Sequence, residues 1–441
     1  MTAIAVPRTT QNVLAVAAGA AFLALLDTTV ANLAVADVQT DFAGMSVNGA
    51  TWIITIYAVV FAALLAPAGR VADVVGRRTL LIAGVGGFTA MSLACALAPS
   101  LPALLVARAL QAAAAAAMIP ASLAVVLADT PPERRAAAIG AWSAAGALAA
   151  AAGPAIGGVL VDQVGWRALF LINVPVGVLI VLGARQIPAG KGAGHLPDAL
   201  GTLLLGVGIG AAALGISQGS TWGWGDPKTV AAILGGVLAA AAAIWRSTRH
   251  AYPALETRLW RSKRFATANV ASLLYGAALF PWMLVGVLVQ VTLWDYSPLQ
   301  AGLGMTPGAI VAAVVAVLAS KRPHKPVILV GAATLAAAGA ICAFALPATP
   351  DFLGFWLPVG VLIGIGMGAV TTGISTAAAL SVTPDRFAAA VGLNSAARQV
   401  GGALGVAVLA GIVDGDIASF KDVYLFCTLA TLGVALAGSR L

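Results

Sequence analysis

The chain has 441 residues, of which 61% are hydrophobic and only 9% are charged, whereas about 25% of the residues of a soluble domain are charged. This composition excludes an ordinary soluble protein. The formal net charge is +8, which taken alone would also suit a nucleic-acid-binding protein.

Apolar stretches long enough to cross a bilayer recur along the whole chain. A helix that crosses the ~30 Å hydrocarbon core needs about 20 residues at 1.5 Å per residue. The sequence predicts an all-α polytopic membrane protein with 14 transmembrane helices, at about residues 12–35, 48–69, 79–98, 101–127, 135–161, 168–187, 197–217, 228–246, 265–293, 300–320, 326–346, 352–380, 387–413 and 423–439.

The basic residues follow this topology. If the N-terminus is cytoplasmic and the spans alternate, most of the 24 lysines and arginines fall in cytoplasmic segments. This is the positive-inside rule with both termini cytoplasmic, so the net charge predicts no nucleic-acid partner. The abundance of Ala, Gly and Arg suggests a bacterial chain, for which we expect the inner (cytoplasmic) membrane.

The first span contains a carboxylate. Asp27 lies in LLDTTVANLAV, about 24 Å along the helix from Gln11 and therefore in the outer half of the membrane. The protonation of a carboxylate at this depth depends on which side of the membrane gives it water, which is what proton coupling requires. The alternative is a permanently protonated Asp27 that is hydrogen-bonded to Thr or Asn neighbours such as Asn32.

The loop after the second span reads GRVADVVGRR, from Gly69 to Arg78. Gly69 and Gly76 permit tight turns, and Asp73 can pair with Arg77 or face a helix N-terminus. The match of this spacing to the pattern of the family named below implies a cytoplasmic gating loop. The alternative is an ordinary basic loop on the cytoplasmic side.

The fourth span contains Arg108, where an uncompensated charge costs about 2.5–3.5 kcal/mol or more. We expect Arg108 to line the cavity and to bias proton release. The alternative is that it only bonds to backbone carbonyls. The fifth span contains a glycine-rich stretch around Pro154, which allows close helix contacts and bends the helix; simple small-residue packing explains that stretch as well.

An internal repeat links the two ends of the chain. Residues 132–145, PERRAAAIGAWSAA, align without gaps with residues 384–397, PDRFAAAVGLNSAA. Parallel repeats of this kind are found in major-facilitator transporters. The spacing predicts an N-terminal six-helix bundle at 1–190, two inserted linker helices at 191–262 and a C-terminal six-helix bundle at 263–441.

Together these stretches resemble the major facilitator superfamily, specifically its fourteen-helix drug:proton antiporters. The resemblance covers nearly the whole chain, since WRALFLINVPVG (166–177), TWGWGDP (221–227) and ARQVGGALG (397–405) are also similar to family segments. Val74 departs from the family pattern, which has an arginine there. The resemblance implies a major-facilitator fold with two six-helix bundles and two inserted helices.

The resemblance also implies residue roles. Asp27 and Arg108 are the predicted proton-coupling residues. The predicted gating residues are Gly69, Asp73, Gly76, Arg77, Arg78, Asp129, Gly153, Pro154, Gly157 and Gly158, with Asp129 expected to join Arg77. The predicted substrate-binding residues are Asp27, Asn32, Tyr57, Arg108, Trp142, Asn394 and Arg398.

The sequence thus predicts a proton-coupled multidrug exporter that works by alternating access. A cavity with one carboxylate among Ala, Gly, Val and Leu suits lipophilic neutral or monocationic molecules, unless Asp295, Asp414 or Asp416 near the outer helix ends supplies a second acid. The alternatives are a proton-coupled importer, an exporter of lipid or cell-envelope precursors, or a membrane enzyme or scaffold.

The remaining expectations concern chemistry and partners. The sequence shows no P-loop and no cluster of reactive or metal-ligating side chains. We therefore predict no enzyme activity, no metal and no cofactor, with protons as the coupling ion. The expected partners are a small lipophilic substrate and membrane lipids, and the expected state is a monomer.

Overall fold

The computed structural model describes residues 8–31, 34–42, 47–188, 192 and 195–441, without the side chains of residues 8–10, 35, 36, 47–50 and 298. This part of the chain folds into α-helices with short 3-10 and π turns. The α-helices are α1 (Arg8–Val30), α2 (Ala34–Asp41), α3 (Val47–Val75), α4 (Arg77–Ala96), α5 (Leu101–Asp129), α6 (Arg135–Val164), α7 (Ala168–Leu171), α8 (Asn173–Ala184), α9 (Ala199–Trp222), α10 (Pro227–Ser247), α11 (Lys263–Leu288), α12 (Pro298–Ala319), α13 (His324–Ala345), α14 (Leu357–Ala379), α15 (Phe387–Ile412) and α16 (Ile417–Gly438).

Thirteen helical segments in the described residues are long and apolar enough to cross a membrane. The shorter apolar segment Ala168–Ala184, formed by α7 and α8, lies at the predicted sixth span. The predicted all-α polytopic architecture is therefore confirmed.

The first span is shorter than predicted, because α1 ends at Val30 and α2 begins at Ala34. Thr28 and Thr29 precede this end, and their hydroxyls donate to the carbonyls of Ala24 and Leu26 at 2.9 and 2.8 Å. Such back-bonding weakens and bends the end of a helix.

The two copies of the internal repeat fold alike. In the first copy a 3-10 turn, Pro132–Arg134, leads into α6; in the second the turn Pro384–Arg386 leads into α15. We refer to α1–α8 as the N-terminal half, to α11–α16 as the C-terminal half and to α9 and α10 as the inserted pair. The halves meet where α6 packs on α12 and where α3 and α5 pack on α15.

The inserted pair is fixed to itself and to the N-terminal half. Helices α9 and α10 pack on each other, and α9 packs on α3. At the start of α9, Asp198 accepts a hydrogen bond from the backbone N–H of Gly201 at 3.1 Å and forms an ion pair with Arg246 of α10. The hydrogen bond from Arg246 holds the pKa of Asp198 below its usual value. This contact ties the two ends of the inserted pair together.

Candidate functional site

The structure joins the two charges that the sequence places in separate spans. Asp27 of α1 and Arg108 of α5 form an ion pair in which Arg108 Nη1 lies 2.7 Å from Asp27 Oδ2. Their side chains are 0% and 1% exposed. Removing one member of such a buried pair leaves an uncompensated charge, which costs about 3–5 kcal/mol.

One more polar side chain of α5 and one each from α4 and α8 complete this network. Gln111 and Asn173 donate to Asp27 Oδ1 at 3.0 and 2.9 Å. Gln111 also accepts from Arg108 at 2.7 Å and donates to the hydroxyl of Ser92 at 2.8 Å. The carboxylate therefore accepts hydrogen bonds from three side chains, those of Arg108, Gln111 and Asn173.

Aromatic rings enclose the guanidinium of Arg108. Its carbon lies 4.3 Å from the ring centroid of Tyr57 and 5.5 Å from that of Phe170, and Nε donates to the carbonyl of Ile53 at 3.3 Å. A cation over aromatic faces is stabilised most when it is desolvated. The network is therefore a dry polar centre inside the N-terminal half.

Sequence reasoning found only part of this centre. Asp27, Arg108 and Tyr57 belong to it, whereas Asn32 lies outside the described residues. Ser92 and Asn173 were missed: Asn173 falls in a segment that resembles the family, but an isolated serine in α4 gives no signal.

A second group of predicted residues lies between the two halves. Trp142 of α6 and Asn394 and Arg398 of α15 line a narrow cavity of about 10 Å³, which is on the order of one water molecule. The indole of Trp142 donates to Ser122 at 3.0 Å. This cavity is separate from the Asp27 network, so the predicted substrate-binding residues divide between two places.

The C-terminal end of α3 and the N-terminal end of α15, which form the predicted gate, are joined by hydrogen bonds. Asp73 accepts hydrogen bonds from Arg77 Nη2 at 2.6 Å and from the backbone N–H groups of Ala388 and Ala389 at 3.3 and 2.8 Å. Those N–H groups belong to the first turn of α15, whose N-terminus favours a negative charge. Asp73 of one half therefore caps a helix of the other half.

Arg135, Phe387 and Glu256 add contacts around the predicted gate. Arg77 donates to the carbonyl of Pro384, and its guanidinium carbon lies 5.6 Å from the ring centroid of Phe387. The guanidinium carbon of Arg135 lies 5.1 Å from the same ring. Glu256, in the segment before α11, pairs with Arg70 of α3 at 3.5 Å and with Arg386 at 3.8 Å. Sequence reasoning missed both Phe387 and Glu256.

Two predicted gating residues have different neighbours from those expected. Asp129 is exposed and forms no ion pair with Arg77, because the guanidinium of Arg77 is taken up by Asp73 and Pro384. Arg78 donates to the carbonyls of Ala184 and Arg185 at 3.2 and 2.5 Å. It therefore joins α4 to the end of α8 within the N-terminal half and does not reach the C-terminal half here.

The glycine-rich stretch of α6 packs against both halves. Gly153 leaves no room for a Cβ beside the hydroxyl of Thr29 in α1. A Cβ on Gly302 of α12 would meet Pro154 at 2.5 Å, and a Cβ on Gly158 would meet Leu299 at 3.3 Å; Gly157 is buried. This stretch therefore lies where α6 contacts α12 across the two halves.

Two of the outer acids, Asp414 and Asp416, have local partners. Asp416 caps α16 by accepting from the N–H of Ser419 at 2.7 Å. Hydrogen bonding from the Ser419 side chain lowers the pKa of Asp414, and Asp295 is the one non-glycine residue with a positive φ (55°) in the described chain. Among the described residues, no group of three or more His, Cys, Asp or Glu side chains could hold a metal ion.

Comparisons with known proteins agree with this architecture. The family model described as Major Facilitator Superfamily matches residues 17–195 and 191–406. The human organic anion transporter MFSD10 (TETRAN) superposes with a TM-score of 0.70 over 98% of this chain and 100% of its own, at 15% sequence identity. At that identity the likeness concerns the fold alone.

Curated bacterial relatives are closer in sequence. The puromycin resistance protein pur8 of Streptomyces alboniger is 35% identical over 92% of this chain and 82% of its own length. The cephamycin export protein CmcT of Amycolatopsis lactamdurans is 33% identical over 91% and 84%. The tetracenomycin C resistance and export protein of Streptomyces glaucescens is 30% identical over 96% and 79%. The chain belongs to the Major Facilitator Superfamily.

Proposed function

We propose that this multi-pass membrane transporter is a proton-coupled drug exporter of a bacterial cytoplasmic membrane, with both termini in the cytoplasm. The relatives that are named for resistance and export support the drug-export part. The observation that supports proton coupling is the dry ion pair between Asp27 and Arg108. We propose Asp27 as the proton carrier and protons as the coupling ion.

The geometry gives this carrier a link to conformation. Protonation of Asp27 removes the negative charge that compensates Arg108, and a buried cation without its partner is strongly unfavourable. Arg108 must then gain water or a new partner, so protonation favours a conformation in which the centre is hydrated. The closed cytoplasmic gate of Asp73 and α15 leaves the outer side as the side that opens for proton entry.

The proposed substrates are small lipophilic molecules, bound between the halves by a monomeric transporter among membrane lipids. The cavity beside Trp142 and Asn394 supports this placement, because both halves contribute to it. A monocation would need a free carboxylate, and Arg108 already compensates Asp27 in this structure. The geometry therefore supports uncharged substrates better than cationic ones.

The test is drug-driven proton movement in proteoliposomes that contain a pH-sensitive dye. Puromycin and a panel of lipophilic dyes are applied to the wild type, to Asp27→Asn and to Asp41→Asn. Asp41 is the matched control because it pairs with Arg167 at an exposed position outside the network.

We expect the wild type and Asp41→Asn to exchange protons for drug, and Asp27→Asn to retain drug counterflow while losing proton movement. Equal proton movement in Asp27→Asn would show that Asp27 is a structural carboxylate. Chemical turnover or drug uptake along the proton gradient would contradict the exporter proposal as a whole.

A further inference from the structure

Arg398 is a membrane-embedded cation that lacks a carboxylate partner. It lies eleven residues after the start of α15 at Phe387, which places it about 16 Å along the helix, in the middle of the bilayer. Among the described residues, no carboxylate oxygen comes within the 4.0 Å ion-pair distance of Arg398. Arg108, which also lies deep inside a span, has Asp27 at 2.7 Å.

The near neighbours of Arg398 do not compensate its charge. The titratable group that interacts with it electrostatically is the phenol of Tyr275, which is neutral at ordinary pH. The Tyr275 hydroxyl is itself bonded to Thr371 at 2.7 Å. An uncompensated arginine at this depth is costly, and such residues mark substrate pathways.

The cavity supplies the rest of a binding site. Arg398 shares it with the polar side chains of Asn394, Ser395 and Ser375 and with the apolar surfaces of Leu123 and Trp142. Leu123 and Trp142 come from the N-terminal half, whereas the polar groups come from the C-terminal half. The C-terminal wall also carries Ala378, Ala379 and Val391. When the halves part and this one-water-sized cavity widens, an amphiphilic molecule with one acidic group would place its acid against the polar groups and its apolar body against Leu123 and Trp142.

The close packing of α15 explains the position of the Arg398 backbone but not its charge. A Cβ on Gly276 of α11 would clash with the carbonyl oxygen of Arg398, so the two helices touch through their backbones. This backbone contact requires a small residue at position 276, but it does not involve the guanidinium group of Arg398. The charge of Arg398 is therefore left for a ligand.

We infer that Arg398 is an anion-binding subsite and that the transporter prefers lipophilic monoanions, such as carboxylates or ionised phenols, over cations of the same size. This inference deepens the proposed export function and rests on it for the direction of transport. The guanidinium offers a planar pair of donors that matches a carboxylate. The hydroxyl groups of Ser375 and Ser395 supply additional donors beside it.

The test compares three probes that share one apolar body: pyrenebutyrate, its methyl ester and a pyrenyl-butyl-trimethylammonium. Their binding to the purified transporter in nanodiscs is measured by quenching of protein fluorescence, with empty nanodiscs as the blank. The variants are Arg398→Gln and Arg398→Lys. Arg167→Gln is the matched control, because Arg167 is exposed and lies outside the cavity.

We expect the wild type to bind the acid more tightly than the ester or the ammonium. Arg398→Gln should weaken binding of the acid about 10-fold to 100-fold, as expected for a lost hydrogen bond to a charged group, and leave the ester within about twofold. Arg398→Lys should recover part of the loss, because it restores the charge without the planar fork. Thermal unfolding of each variant separates lost binding from misfolding.

Two results would overturn the inference: an acid-to-ester preference that Arg398→Gln leaves unchanged, or a wild type that binds the ammonium best or does not bind the acid. Neither result depends on proton coupling. If Arg398→Gln loses the acid preference while the wild type moves no protons, the subsite stands and the proposed coupling fails. If the wild type moves protons and the acid preference is unchanged in Arg398→Gln, the proposed coupling stands and the anion-binding subsite fails.

Discussion

Arg135 and Phe387 occupy equivalent positions in the two copies of the internal repeat, and the guanidinium carbon of Arg135 lies 5.1 Å from the centroid of the Phe387 ring at the predicted gate. Arg77 approaches the same ring to within 5.6 Å. Phe387 is 1% exposed, so both cations lie against a desolvated ring. The repeat therefore brings its own equivalent positions together at the point where the two halves close.

Replacement of Phe387 by Leu should favour opening of the cytoplasmic gate. Leucine keeps apolar volume but loses two cation–π contacts, each worth about 0.5–1 kcal/mol or more, so we expect the open fraction to rise about 5-fold to 30-fold. The measurement is maleimide labelling of Ser395→Cys from the cytoplasmic side. The three native cysteines are buried and should contribute little background. Phe387→Tyr keeps the ring and should label like the wild type.

Asp73 should show a graded response, because it acts both as an ion-pair partner and as a helix cap. Asp73→Asn keeps an acceptor oxygen for Ala389 and loses the charge, whereas Asp73→Ala loses both. We expect both variants to increase cytoplasmic labelling of Ser395→Cys, with Ala stronger by about 1 kcal/mol, the usual value of a cap. Asp162→Asn, an exposed acid at the outer end of α6, is the control. Equal labelling of Asn and Ala variants would contradict the capping role.

Gly69→Ala should prevent the gate from closing. A Cβ on Gly69 would clash with the carbonyl oxygen of Ala388, and a backbone atom inside α15 cannot move aside alone. We expect strong loss of transport with persistent cytoplasmic accessibility. The control is Gly86→Ala in α4, where a Cβ would meet nothing within 4 Å. Normal transport by Gly69→Ala would show that this contact is not needed during the cycle.

The fold was largely predictable because a membrane-spanning helix has a strong sequence signal. Long apolar runs, charged loops and the repeat at 132–145 fixed the helices to within a few residues in most cases. One exception is the first span, where two threonines bonded to the α1 backbone precede its end at Val30, a competition that hydropathy does not report. Another is the second span, because α3 continues to Val75 and the predicted loop from Gly69 is mostly helical.

The site was predictable only where a charge interrupts an apolar run. Asp27 and Arg108 stand out for that reason, but their pairing depends on the relative rotation and depth of two helices, which periodicity in nearly all-apolar spans does not define. Ser92 and Asn173 have no distinctive sequence context. Phe387 reads as an ordinary packing residue, and Glu256 reads as an ordinary loop charge.

The Asp198–Arg246 contact gives the inserted pair a pH-dependent stability. The pKa of Asp198 is lowered by the hydrogen bond from Arg246, with His250 3.9 Å away. Because the pKa of Asp198 is lower in the folded protein, the ionised carboxylate stabilises the fold at pH values above its ordinary pKa of 3.8. This stabilisation is lost as the pH falls through the pKa of Asp198 in the folded protein. Asp198→Asn should therefore lower the Tm at pH 7, and the difference from wild type should shrink below about pH 4.

Differential scanning fluorimetry of both proteins between pH 3 and pH 7 measures this difference. Asp41 also has a lowered pKa, because of hydrogen bonding from Arg167, so wild type and Asp198→Asn share that contribution and it cancels in the comparison. A Tm difference that is constant across the pH range would contradict the assignment to Asp198.

Glu256 joins three separate elements, since its two carboxylate oxygens face Arg70 of α3 and Arg386 of the turn before α15. Because Glu256 belongs to the segment between the inserted pair and α11, its ion pairs hold that segment against the closed gate. Glu256→Gln should favour gate opening by about 0.5–1 kcal/mol, the range for partly exposed ion pairs. Glu133→Gln is the control, because Glu133 is an exposed glutamate in the equivalent cytoplasmic loop of the N-terminal half.

Cytoplasmic labelling of Ser395→Cys in Glu256→Gln, Asp73→Asn and the double variant forms a thermodynamic cycle. Additive effects would mean that the segment and the Asp73 cap close the gate independently. A coupling energy above about 0.5 kcal/mol would mean that Glu256 acts by positioning the start of α15 for the cap. We expect the second result, because Arg386 directly precedes the first turn of α15, whose N–H groups bind Asp73.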